Sequence, residues 1–449
     1  MDTVDLSNEP SVRTGGRRIV LTTFGSLGDL YPYIAIALGL KARGHDVIIA
    51  TSPGHQGRVE ARGVGFHPVP PEGPSLIDDP EGMRHFMDRR KGSESVIREL
   101  MMPVLAESYQ ATMEAARGAD LLICHPLTFV TPLVAETTGI RWASVNLQPL
   151  GFFSAHDPPV LAPMPSLAKL RFLGPAFHGP FFRWAKWSIR SWADPWHRLR
   201  AEVQLPPTSD NPLFEGLQSP ALILAMFSRH FACKQPDWPP QAVTCGFPFL
   251  DQQTGAAMPA EVVDFLDSGP PPIVFTLGSS AMHSDANFFE YSAAAARLLG
   301  RRAVLVLGND RDNRPASLDA DVIACDYVPF FQLFPRAAAI VHPGGIGTTG
   351  LVMHSGRPML VMPCAHDQFD NAARVTRLGI GRTISQQDYR PELIAVELRK
   401  LLDNPRYSER ASVLGAAVRR EDGISTACDH LEKLLENKQQ VEPVEIVAR

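Results

Sequence analysis

The sequence has no C-x-x-C pair and no histidine-rich segment near its six scattered cysteines (124, 233, 245, 325, 364 and 428). That spacing supports neither a zinc site nor a disulfide framework and suits a reducing compartment. There is no basic excess: the formal net charge is −5, the wrong sign for a dedicated nucleic-acid binder. No stretch reaches the roughly 18 apolar residues that span a bilayer. Residues 1–18 are polar, with early acids, unlike a signal peptide. The expectation is a soluble cytoplasmic protein.

What the chain does have is length and proline. Its 449 residues fit two domains of roughly 200 residues each. A 45% hydrophobic and 20% charged composition is that of a globular protein. Many of its 40 prolines fall in connections such as 236–240 and 269–272.

The two halves share one grammar. Residues 18–24 read as a buried strand ending at the turn Gly25-Ser26-Leu27-Gly28-Asp29, with Pro32 in the first turn of a helix. Tyr33, Ile34, Ala37, Leu38 and Leu40 make a helical stripe, Gly44 stops it, and 46–50 is the next strand. This is a βαβ unit and implies a parallel sheet. Strands follow at 121–124 and 141–145. The pattern restarts at 273–277, which ends at Gly278-Ser279-Ser280, with strands near 303–307, 322–324, 339–341 and 359–362.

The expected fold class is therefore α/β, with two doubly wound parallel-sheet Rossmann-like domains facing across a cleft. The boundaries read as a disordered lead-in at 1–16, a first domain at 17–235, a linker at 236–260, a second domain at 261–424, a helix at 425–435 that packs back on the first domain, and a loose tail at 436–449. In such sheets ligands sit outside the carboxyl ends of the strands, where both glycine turns lie.

The richest segment is 339–350, in which a strand runs into His342-Pro343-Gly344-Gly345-Ile346-Gly347-Thr348-Thr349 and a helix begins. A helix N-terminus offers unsatisfied N–H groups and about half a positive charge, and the glycines let an anion approach the backbone. The loop lacks the G-K-[ST] ending of a P-loop. An ordinary glycine turn with a threonine cap is the alternative. Further on, 361–372 ends another strand with Ala365-His366-Asp367-Gln368-Phe369-Asp370-Asn371-Ala372. Asp367 and Gln368 suit sugar hydroxyls; a plain helix N-cap at Asp367 is the alternative.

Together with Tyr327-Val328-Pro329, these motifs resemble the donor-binding signature of family 1 glycosyltransferases, the UDP-glycosyltransferase superfamily. The turn Gly25-Ser26-Leu27-Gly28-Asp29-Leu30-Tyr31-Pro32 resembles that of its bacterial and sterol-glycosylating branches, and the wording through Arg374 is closest to bacterial rhamnosyltransferases. The likeness covers 17 to about 435. It implies a GT-B fold, an inverting mechanism and no metal or other cofactor, the nucleotide-sugar (UDP or dTDP) being a substrate. It places His342, Gly344, Gly345, Gly347, Thr348 and Thr349 on the donor diphosphate, with Ser279 and Ser280 facing the phosphates. Asp367 and Gln368 fall on the donor sugar, Val328 beside the base through its backbone, and Ser26 and Gly28 in the turn that touches the donor.

Plant members use a histidine after the first strand; here the matching turn offers Asp29 as the general base, with an N-cap role as the alternative. A ribose-holding glutamate of plant members is replaced by Leu351, which leaves uridine and thymidine donors both open. His45, His125 and His354 match no family site and read as structural or surface. Asp310/Asp312 and Asp319/Asp321 make a weak cation case, with too few partners.

Residues 151–200 hold four of the six tryptophans, interleaved with arginines and lysines. Core packing, an apolar acceptor pocket (Phe152, Phe153, Trp184, Trp187) and a membrane-surface patch stay open for this segment. The acidic, proline-containing stretch 70–91 reads as a mobile loop over the cleft. The function expected is hexosyl transfer to a hydroxyl of a small lipophilic acceptor (lipid, polyketide or phenolic). A sugar-nucleotide 2-epimerase of the same fold and a non-catalytic nucleotide-sugar-binding subunit are the alternatives. No nucleic-acid partner is expected, and the oligomeric state is left open.

Overall fold

The computed structural model describes residues 16–71, 80–250, 257–278, 287–308 and 313–436. The lead-in before Gly16, the tail after Glu436, Ser279, Ser280, Asp310 and Asp312 lie outside these, as do 72–79 of the 70–91 stretch and 251–256 of the linker.

The first sheet contains β1 (Arg18–Thr22), β2 (Asp46–Thr51), β3 (Gly65–Pro68), β4 (Leu121–Cys124), β5 (Arg141–Asn146), β6 (Ile223–Ala225) and β7 (Ala242–Thr244). Its order is β3-β2-β1-β4-β5-β6-β7, every pairing parallel. The second contains β8 (Ile273–Thr276), β9 (Ala303–Val306), β10 (Val322–Cys325), β11 (Ala339–His342), β12 (Met359–Val361) and β13 (Gly381–Thr383). It is also all parallel, ordered β10-β9-β8-β11-β12-β13. β4, β8, β9 and β11 are buried along their whole length, as strands covered by helices on both faces must be. This is the two-domain α/β arrangement expected from the sequence, and four short strands (β3, β6, β7 and β13) join those read from it.

Each sheet reverses its winding at one place: between β1 and β4 in the first, between β8 and β11 in the second. The carboxyl ends at such a switch point are splayed apart by the connections leaving in opposite directions, which opens a crevice there. The turns after β1, β4, β8 and β11 are therefore where the fold itself places a site.

The helix Leu27–Ala42 starts earlier than Pro32 suggested. Ser26 is its N-cap and Asp29 its N3 residue, in a full capping box, so Pro32 sits in the second turn. The last helix, Gly423–Glu436, lies against it. Gly39 lets the two approach, since a Cβ there would meet Cys428 Sγ and Ile424 Cγ2, both at 2.8 Å. Arg43 fixes the contact with 2.6 Å bonds to Asp429 and Glu432. Replacing Gly39 with valine is expected to destabilise this docking by about 1–3 kcal/mol, the usual cost of overpacking, read as a lowered Tm.

A buried ion network also links the two units. From the first unit come Asp157 and Arg171; from the helix Gln368–Leu378 of the second come Asp370, Arg374 and Arg377. Arg374 pairs with Asp157 and, at 2.7 Å, with Asp370. The Val160 amide donates to the other Asp370 oxygen at 3.0 Å, and Arg171 also reaches Asp157. Burial alone would raise the Asp157 pKa; Arg374 and Arg171 outweigh it and hold the carboxyl below its ordinary value.

Candidate active site

After β1 the chain turns at Gly25, whose φ of 126° suits only glycine. A Cβ here would lie 2.4 Å from Asp29 Oδ2, so the glycine makes room for the carboxylate. That oxygen accepts from the Ser26 amide at 2.8 Å and the Ser26 hydroxyl at 3.1 Å. The Gly28 amide in turn donates to Ser26 Oγ at 3.2 Å.

The other oxygen, Oδ1, stands 3.4 Å from His125 Nε2, and His125 is the first residue after β4. The Leu127 amide donates to His125 Nδ1 at 3.1 Å. With Nδ1 accepting, the ring carries a proton on Nε2, aimed at Asp29. His125 is buried and packs edge-on against Tyr33 at 5.5 Å. Its place in the sequence marks no site; the switch-point geometry, which joins the turns after β1 and β4, identifies it. Burial alone would raise the Asp29 pKa, but the bonds to His125 and Ser26 outweigh it and leave the carboxyl below its ordinary value. The side chain stays about one-third exposed, so Asp29 is an ionised, accessible acceptor.

The switch point of the second sheet carries the glycine turn. His342 is fully buried, and burial drives its pKa down to about 3, so the ring is neutral. Its Nδ1 accepts from the Gly344 amide at 3.0 Å, and Nε2 faces Met359 Sδ at 3.4 Å. Both ring nitrogens are thus engaged within the protein, and the histidine acts on the shape of the turn. Gly344 has φ 94°, and a Cβ there would meet Val361 Cγ1 at 2.6 Å.

The helix Ile346–Ser355 follows with Gly345 as N-cap, no side-chain cap and no acid in its first turn. Its ladder starts with the Thr349 amide to the Gly345 carbonyl at 2.9 Å. The amides of Ile346, Gly347 and Thr348 lie outside that ladder, the arrangement that binds anions. Thr349 is buried with its hydroxyl donating to the Gly345 carbonyl, while Gly345, Gly347 and Thr348 keep exposed surface. Gly278 lies beside Thr348, whose Oγ1 is 3.7 Å from the position a Cβ would take.

Asp367 occupies the N-cap position of the helix Gln368–Leu378 but makes no capping bond. Its Oδ2 accepts instead from Asn371 Nδ2 at 2.7 Å, and the same amide donates to the Gly344 carbonyl at 2.9 Å. Asn371 thereby ties the glycine turn to the Asp367 turn, a role its place in the motif did not reveal. Gln368 is buried, and its Oε1 accepts from the Cys364 and Ala365 amides at 2.8 and 3.2 Å.

Burial, aided by the negative charges of Asp29 and Asp370, raises the Asp367 pKa from 3.8 to about 7. The two catalytic-side turns are thus close enough for their charges to interact. His366, with φ 51°, completes the cluster: its Nδ1 is 3.0 Å from Ser93 Oγ of the first unit. The pKa sign is the reverse of the usual carboxylate case. A raised folded pKa gives stability that is full below about pH 4 and is lost as pH rises through about 7. Asp367→Asn is therefore expected to raise Tm relative to the wild type at about pH 8 and to change it little at about pH 4.

Val328 has its side chain in the core, leaving only its main chain for a ligand, and Leu351 packs against the same core. Phe152 stacks on Trp238 with centroids 3.9 Å apart and is spent on packing. Phe153 meets Phe182 and Phe214 edge-on, whereas Trp184 and Trp187 are 57% and 58% exposed. Asp319 pairs with Arg297. Among the described residues no group of three or more His, Cys, Asp or Glu side chains stands where it would hold a metal ion, and no helix is long and apolar enough to cross a membrane.

Comparison with known proteins matches residues 19–140 to the glycosyltransferase family 28 N-terminal domain and residues 295–426 to the erythromycin biosynthesis protein CIII-like C-terminal domain. The O-mycaminosyltylonolide 6-deoxyallosyltransferase of Streptomyces fradiae is 32% identical over 94% of this chain and 98% of its own length. A sterol 3-beta-glucosyltransferase of Candida albicans is 26% identical over 93% of this chain, which matches 28% of that longer enzyme. Among solved structures, the calicheamicin glycosyltransferase CalG4 superposes with a TM-score of 0.71 at 17% identity, covering 94% of this chain and 99% of that one. The spinosyn rhamnosyltransferase complexed with thymidine diphosphate superposes with a TM-score of 0.65 at 16% identity, covering 93% and 100%. With its two parallel sheets and its pair of switch-point turns, the chain belongs to the family 1 glycosyltransferases of GT-B fold and is a hexosyltransferase.

Proposed function

We propose that the enzyme transfers a hexosyl group, with inversion and without a metal, from a UDP- or dTDP-sugar to a hydroxyl of a small lipophilic acceptor. The observation that carries this reading is the pairing of an ionised Asp29 on one switch point with an uncapped helix N-terminus on the other. The donor diphosphate lies at the amides of 346–348, in the turn shaped by His342 and Gly344 and beside Gly278. Ser26 and Gly28 approach it from the first unit. The sugar lies toward Asp367 and the Gln368 amide nitrogen, the base near the Val328 main chain.

The acceptor oxygen attacks the anomeric carbon from the side of Asp29. As the new O–C bond forms, the acceptor O–H proton passes to the Asp29 carboxylate, and the bond from the anomeric carbon to the phosphate oxygen breaks. Attack opposite the leaving group inverts the anomeric centre. The charge growing on the leaving diphosphate meets the positive end of the helix dipole. General-base assistance of this kind is worth roughly 10²–10⁴-fold.

His125 holds Asp29 and keeps its pKa low. Replacing His125 with phenylalanine retains the ring contact with Tyr33 and removes the Nε2 proton. The acid limb of kcat/KM is then expected to move to higher pH, because burial of Asp29 is no longer offset. An acid limb at the wild-type position would remove the positioning role.

The proposal is tested by incubating enzyme with UDP- and dTDP-hexoses, with and without a panel of hydroxylated lipids, polyketides and phenolics, in EDTA. Transfer with NMR-defined inversion supports it. Donor consumed without acceptor would favour 2-epimerisation, and donor bound but never transferred would favour a non-catalytic subunit. The relatives' acceptors, a tylonolide and sterols by their names, guide the panel.

A further inference from the structure

The helix Gly174–Ser188 buries only His178 and Phe182 among its fifteen residues. A helix in a globular protein ordinarily turns its apolar stripe inward; this one also carries a stripe outward. Leu173, Phe177, Pro180, Trp184 and Trp187 follow spacings of four, three, four and three residues, which places them on one face, and all five are exposed. Phe172, next to this face, is 80% exposed. Contiguous exposed aromatics of this kind mark an interaction surface.

The charge around the stripe selects the partner. From residue 161 to 193 there are five basic residues and no acidic one, in a chain whose net charge is −5. Arg171 and Lys186 are engaged with Asp157 and Glu215. Lys169, Arg183 and Arg190 have no acidic partner among the described residues, and the Arg190 guanidinium lies over the Trp187 ring at 4.3 Å. A protein-binding face would pair such cations with partner carboxylates one by one. A surface of mobile anionic headgroups takes them in any arrangement, while tryptophan and phenylalanine enter the boundary between headgroups and acyl chains.

From this combination we infer that the outward face of residues 172–190 is a docking surface for an anionic lipid bilayer. The enzyme lies on the membrane through its first unit without crossing it. Arg183 and Arg190 supply the long-range attraction, which salt screens, and Phe172, Phe177, Trp184 and Trp187 supply the contact that holds. The inference stands apart from the transfer chemistry, since none of these residues belongs to the site built on Asp29 and the glycine turn.

The test is flotation of the full-length protein with vesicles of phosphatidylcholine alone or mixed with phosphatidylglycerol, at low and high salt. The wild type is expected to float with the anionic vesicles, weakly with the neutral ones, and less as salt rises. The double variants Trp184→Ser/Trp187→Ser and Arg183→Glu/Arg190→Glu are each expected to lower partitioning roughly tenfold or more. Val413→Ser, which removes a 72% exposed apolar residue of the second unit, is expected to leave it unchanged. Tm and nucleotide titration confirm that the variants are folded. Two outcomes overturn the inference: failure of the wild type to float with anionic vesicles, or a solution dimer that the Trp184/Trp187 variant converts to monomer, which would make this face a protein interface.

Discussion

Asp29→Asn is expected to lower turnover by roughly 10²–10⁴-fold while leaving the affinity for the nucleotide nearly intact. The asparagine oxygen still accepts from the Ser26 amide, so the capping box that starts the helix Leu27–Ala42 survives. What is lost is the negative charge and the ability to take a proton. The new amide also sets its N–H₂ against the His125 Nε2 proton, costing about 1 kcal/mol of stability, which a thermal melt reads separately from activity. Turnover within threefold of wild type would mean that another group takes the proton.

The second large effect is on the fold. Arg374→Met is expected to cost about 3–5 kcal/mol, the range for removing one member of a buried ion network. The methionine fills most of the volume but leaves Asp157 and Asp370, one from each unit and both buried, without their shared cation. Urea unfolding measures this as a lowered midpoint. Asp157 is already held below its ordinary pKa by Arg374 and Arg171, so the wild type is expected to lose this contribution as pH falls toward the Asp157 pKa, whereas the variant has less to lose. A midpoint shift worth under 1 kcal/mol would show that the network is solvated and that closure of the two units rests on the apolar contacts.

Arg374 also shows how far the sequence could be read. It lies in the motif that runs from Ala365, yet its partner Asp157 is 217 positions away, and no local pattern joins them. The central strands were legible because they are apolar runs of four or five residues bounded by turns. Two of the edge strands were not: β3 is Gly-Phe-His-Pro with no fully buried residue, and β13 is Gly-Arg-Thr with one. Such strands exist because a neighbour offers hydrogen bonds, a tertiary cause that leaves no periodicity. Asp29 was readable from its turn. His125 was not, because its role comes from β4 lying next to β1, with paired residues 102 positions apart. The aromatic segment was visible by composition, but which rings were spent on the core (Phe152, Phe182, Trp196) and which stand in solvent (Phe172, Trp184, Trp187) depends on helix orientation.

The two glycine turns carry the central claim, that a nucleoside diphosphate bound at 344–348 faces Asp29 across the cleft. Calorimetric titration of the wild type and the Gly344→Val variant with UDP and dTDP, in EDTA, tests it directly. Saturable binding of at least one of the two nucleotides to the wild type is expected, retained in Asp29→Asn and lost in Gly344→Val, whose side chain has no room beside Val361. Absence of binding by either nucleotide, or equal binding by the Gly344→Val variant, would contradict it.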